Sequence, residues 1–111
     1  MPFTVGERVG HNESVIRQIN ERIEAGRWQG EDPGVFRCEC AMLRCNALVE
    51  LTLGEYEEIR SHPRWFLIKP GHQVEGEEVV VRRHERFLVV EKVGDAGREA
   101  VAEDPRGPDA A

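Results

Sequence analysis

With 111 residues the chain has room for one small domain, and a domain of that size buries only about two-thirds of its unfolded surface, so its core is thin. Hydrophobic residues (40%) and charged residues (32%) suit a globular domain with a charged surface, and no apolar run approaches the ~18 residues of a membrane-spanning helix. The net charge of -6 disfavours capture of nucleic acid or of an anionic lipid surface.

The first ten residues, MPFTVGERVG, show no basic start followed by an apolar stretch, so no secretory leader is expected and the chain reads as cytoplasmic. Residues 1–34 are expected to hold one helix and a linker. Asn12 can cap the helix, Glu13 suits the positive end of its dipole, and Gly26 stands where a terminating glycine belongs. Val15, Ile16, Ile19 and Ile23 give one apolar stripe, which leaves Arg17, Gln18, Glu21, Arg22 and Glu24 for the opposite face. The segment RWQGEDPG is turn-rich, with Trp28 free to dock back on the domain.

Residues 35–94 read as a compact β-rich core. Strands are expected at Val35–Cys40, Ala47–Leu51, Trp65–Lys69, Glu78–Arg83 and Phe87–Val93, the last two forming a hairpin around His84-Glu85-Arg86. Thr52-Leu-Gly-Glu55 is a capping box that opens a short helix, and Pro63 ends it. Two helices and a small antiparallel sheet predict an α+β domain. Residues 94–111 carry five acids and two bases and only one large aliphatic side chain, so 95–111 is predicted to be a disordered acidic tail.

All three cysteines lie within eight residues, as Cys38-Glu-Cys40 followed by four residues and Cys45. Residues two apart on a strand share a face, and a turn at 41–44 can return Cys45 beside them. Three thiolates together favour a soft ion, and Zn²⁺ in a tetrahedral site needs one further ligand. His72, just past the tight turn at Pro70-Gly71, is best placed to supply it. His11, His62, His84, Glu39 and water remain open. The odd cysteine count argues against a purely structural disulfide framework.

The runs FRCEC…C, LTLGEYEEIRSHPRWFLIKPGH and VVVRRHERFLVVEKVG resemble a group of small uncharacterised actinobacterial proteins with an FxCECxxxxC…LTxxEYE…PGH…VVEK pattern. The resemblance covers roughly residues 35–94. It implies that Cys38, Cys40, Cys45 and His72 are the metal ligands and that Glu55 and Tyr56 belong to the pattern. It carries no activity with it.

A closed Cys₃His site folds a domain and leaves no open position for chemistry, so the leading expectation is a structural zinc module that binds another protein. Met42 and Leu43, at the tip of the cysteine loop, are the candidate contact patch. A zinc–thiolate redox sensor is an alternative. Arg82, Arg83 and Arg86 with nearby aromatics allow a nucleic-acid-binding zinc module, which the acidic balance of the chain disfavours. A zinc hydrolase, with Glu39, Glu55 or Tyr56 as acid or base, comes last, because three thiolates make the metal a weak Lewis acid.

Overall fold

The computed structural model describes residues 4–26, 33–42 and 44–106. Trp28, Leu43 and residues 107–111 of the expected tail lie outside them. The chain runs α1 (Val5–Ala25), β1 (Gly34–Arg37), β2 (Leu48–Leu51), α2 (Leu53–Arg60), β3 (Trp65–Ile68), β4 (Glu78–Arg83), β5 (Leu88–Lys92) and α3 (Gly94–Ala102). The architecture is α+β, with three helices rather than the two expected, and the strands form two small antiparallel sheets, β1-β2 and β3-β5-β4. No helix among the described residues is long and apolar enough to cross a membrane.

Helix α1 starts eight residues earlier than Asn12 as its cap would place it. Its cap is Thr4, whose hydroxyl accepts from the Glu7 N–H while the Glu7 carboxylate accepts from the Thr4 N–H. That reciprocal pair satisfies two backbone donors that a helix start otherwise leaves free. Asn12 lies inside the helix and donates its amide to the Ala41 carbonyl at 3.0 Å. The second capping box, Thr52 with Glu55, stands as read from the sequence.

The apolar core joins both sheets and α2 around Phe36, Leu51, Tyr56, Phe66, Leu67 and Val90, with Phe36 and Tyr56 stacked at 4.5 Å. Helix α3 corrects the expectation of a tail from residue 95. Its Ala96, Gly97 and Ala100 are buried, and the helix packs against α1. Small residues allow this where large aliphatics are missing. A Cβ placed on Gly10 would stand 2.7 Å from the Ala96 carbonyl oxygen and 2.8 Å from the Glu99 Cβ, so the two helices are in near backbone contact. Gly10→Ala is therefore expected to force them apart and to cost about 1–3 kcal/mol, read as a lower urea midpoint with an unchanged slope.

Beneath α1 lies a layer of buried charge. Arg17, which the helical pattern assigns to the outer face, is fully buried, with its guanidinium 3.6 Å from the Phe66 ring centroid and a hydrogen bond to the Trp65 carbonyl. Lys92 pairs with both Glu13 and Glu78, and Arg60 pairs with Asp104 at 2.5 Å. These ion pairs join α1, β4 and β5, and α2 to the segment after α3. Residues 103–106 are held in the same way, Arg106 reaching Glu21 and Glu57.

Candidate metal centre

Strand β1 stops at Arg37, so Cys38 and Cys40 stand beyond it in an irregular segment and not on a strand. Both are buried all the same. The Cys38 N–H donates to the Ala47 carbonyl at 3.0 Å, which continues the β1-β2 pairing by one contact. A turn closed by the Cys45 N–H on the Met42 carbonyl at 2.9 Å returns the chain, and the Arg37 guanidinium braces it by donating to the Cys45 carbonyl at 3.0 Å.

The fourth residue comes from the far end of β3. Lys69-Pro70-Gly71-His72 is a tight turn closed by the His72 N–H on the Lys69 carbonyl at 3.1 Å. Gly71 takes φ of +92°, a region that glycine enters without the Cβ penalty, and proline before it fixes the entry to the turn. The turn carries the imidazole to the cysteines. His72 Nδ1 lies 3.5 Å from Cys38 Sγ and 3.6 Å from Cys45 Sγ, and the ligand atoms of Cys38, Cys40, Cys45 and His72 are all within 4.8 Å of one another.

These four side chains form a cluster able to hold a metal ion. A tetrahedron drawn with zinc bond lengths, about 2.3 Å to sulfur and 2.0 Å to nitrogen, has S···N edges of about 3.5 Å. The two S···N separations, 3.5 and 3.6 Å, match that edge. Without a cation, burial pushes the Cys38 thiol up to about 12 and the Cys40 thiol upward too, the neighbouring sulfurs adding to the effect. A bound cation reverses the preference and holds the sulfurs as thiolates. The Lys69 N–H, which donates to Cys38 Sγ at 3.2 Å, favours the same charged form.

The other candidate ligands are engaged elsewhere. His11 binds Glu103 at 2.7 Å, His62 stacks on Trp65 at 3.6 Å, and His84 stacks on Phe87 beside Glu55. Glu55 serves its capping box, and the Tyr56 hydroxyl donates to Glu21 at 2.9 Å. Glu39 is fully buried and outside the cluster, with its carboxylate accepting from Asn20 at 2.9 Å and from the Leu67 N–H at 3.1 Å. Burial pushes its pKa up, while Arg17 and these hydrogen bonds act against the rise. Neither Glu39 nor Asn20 was legible as a support for the site. A carboxylate between two ligand cysteines was the available signal.

Of the surface residues, Met42 is 69% exposed beside the cluster. Arg82 pairs with Glu58 at 3.1 Å, and Arg86 lies near Glu50 and Glu55. Arg82 and Arg83 line a cleft of about 240 Å³ over Ile59, Trp65 and Phe87, well apart in sequence from the cysteine loop. Comparison of the chain with protein-family models, with curated proteins and with solved structures finds no match.

Proposed function

We propose that Cys38, Cys40, Cys45 and His72 hold a zinc ion that folds the domain, and that the domain works by binding another protein. The observation that carries the reading is the convergence of three sulfurs and one imidazole nitrogen within 4.8 Å, from two segments that no regular element holds together. Sulfur and imidazole ligands in a tetrahedral set suit zinc better than calcium, magnesium or manganese, which take oxygen. Four protein ligands fill the tetrahedron, and the carboxylate between the first two cysteines, Glu39, is spent on Leu67 and Asn20. Both points support a structural ion over a catalytic one.

For the partner, Met42 offers an exposed, flexible apolar side chain on the loop that the metal would order. Two of the three arginines at the hairpin tip already face acids of the same chain, which supports a protein partner over nucleic acid. Metal analysis of protein purified without chelator is expected to give one zinc per chain. Cys38→Ser and His72→Ala should each lose most of it. Zinc-free wild-type protein, or variants that keep full metal content, would overturn the reading.

A further inference from the structure

We infer that Glu39 is the positioning residue of the metal centre: its buried carboxylate fixes the Cys38–Cys40 segment against β3 and, through Asn20, ties α1 to the ligand set. The inference rests on the metal reading above and deepens it.

The argument starts from what the segment lacks. Beyond Arg37 the β1-β2 pairing runs on by the single Cys38–Ala47 bond, so the segment from Cys38 to Cys40 needs another anchor. Residue 39 exchanges two bonds with Leu67: its N–H donates to the Leu67 carbonyl at 2.8 Å, and the Leu67 N–H donates to its carboxylate at 3.1 Å. The side chain thus takes the place that a backbone carbonyl holds in a sheet. Two residues further along the same chain, Lys69 donates its N–H to Cys38 Sγ, and its carbonyl closes the turn that carries His72. The Glu39–Leu67 pair therefore sets the separation between the sulfurs and the imidazole.

The second carboxylate oxygen accepts from Asn20, and Asn20 also makes two bonds with the main chain of Arg37, donating to its carbonyl at 2.9 Å and accepting from its N–H at 2.8 Å. Those two bonds fix which way the Asn20 amide faces. A glutamine at position 39 keeps an oxygen for Leu67 but turns its NH₂ group toward the NH₂ group of Asn20, which Arg37 holds in place. Alanine loses both contacts.

Cobalt(II) reports both affinity and geometry, through chelator competition and through the visible bands of a tetrahedral thiolate site. Loss of an outer-shell partner typically lowers metal affinity by about 10–100-fold, so Glu39→Gln and Asn20→Ala should weaken Co²⁺ binding about tenfold and Glu39→Ala about a hundredfold. At saturating Co²⁺ the bands should shift in all three. Gly10→Ala, which loosens the same helix at its contact with α3, is the comparison: it should lower stability and leave the bands unchanged. Glu39 and Asn20 variants with wild-type bands, and with affinity no lower than that of Gly10→Ala, would reduce Glu39 to an ordinary stabilising residue and overturn the inference. Wild-type protein that takes up neither cobalt nor zinc would overturn the metal reading itself, and with it this one.

Discussion

With zinc held by the proposed ligands, a strong chelator is expected to lower the melting temperature by roughly 20 °C or more, at about 4–8 °C per kcal/mol for a domain near this size. The reason is the balance between the ion and the core. A structural zinc site contributes on the order of 10 kcal/mol, while a whole domain is stable by only about 5–15 kcal/mol. The buried core is that of a small domain, and the described residues between Arg37 and Leu48 form no helix or strand. Cys38, Cys45 and His72 are tied to their surroundings by isolated hydrogen bonds and not by a ladder, as with Cys38 on Ala47 and His72 on Lys69. Calorimetry with zinc, with chelator and after zinc is restored would show the fall and its reversal. Cys38→Ser should match chelated wild-type protein and should not respond to chelator. Superimposable melts with and without chelator would mean that the ion does not hold the fold.

The second large effect belongs to the buried charges. Lys92 faces Glu13 and Glu78, and all three side chains are shut off from solvent. Lys92→Met removes the cation and leaves two buried carboxylates, a change expected to cost about 3–5 kcal/mol. The same cluster makes stability depend on pH. Burial pushes the Glu13 carboxyl up from an ordinary 4.5 to about 7; Lys92 and Arg17 oppose the rise and Glu39 adds to it. Between those values the folded protein keeps a proton that the unfolded chain has released. The contribution of Glu13 is thus fully present below 4.5 and is lost as pH rises through about 7. At 1.36 kcal/mol per unit, the loss across the window is on the order of 3 kcal/mol. Urea midpoints of wild type and Glu13→Gln should therefore diverge with pH, the wild type losing more on the alkaline side. A constant difference between the two would show that Glu13 carries no such proton.

What the sequence disclosed, and what it hid, follows from the range of the interactions concerned. Thr52 and Glu55 satisfy each other across three residues, and β4 shows as a run of three valines, Val79 to Val81, set between Glu78 and the Arg82-Arg83 pair, so both were legible. The metal cluster was legible because soft ligands are scarce. With three cysteines and four histidines there are few ways to fill a tetrahedron, and a proline–glycine turn marks one histidine as presented. The start of α1 is signalled locally by Thr4 and Glu7, but Gly6 and Gly10 break the apolar rhythm there and the regular stripe begins only at Val15. Those glycines have their reason 86 residues away, at Ala96 against Gly10. Helix α3 was hidden by the same contact, since alanine and glycine carry little apolar area and gain their place by close approach. Arg17 and Lys92 have polar side chains whose partners lie far along the chain, and no local pattern distinguishes a paired buried charge from a solvated one.

Cys45 and His72 stand 27 residues apart, and β2, α2 and β3 all lie between them. An ion bound by both closes this stretch into a ring. In the unfolded chain such a ring removes conformations just as a disulfide does, and the benefit grows slowly with its length. The difference lies in what opens it: a disulfide yields to reductant, whereas this clasp yields to acid, to competing ligands or to oxidation of its sulfurs.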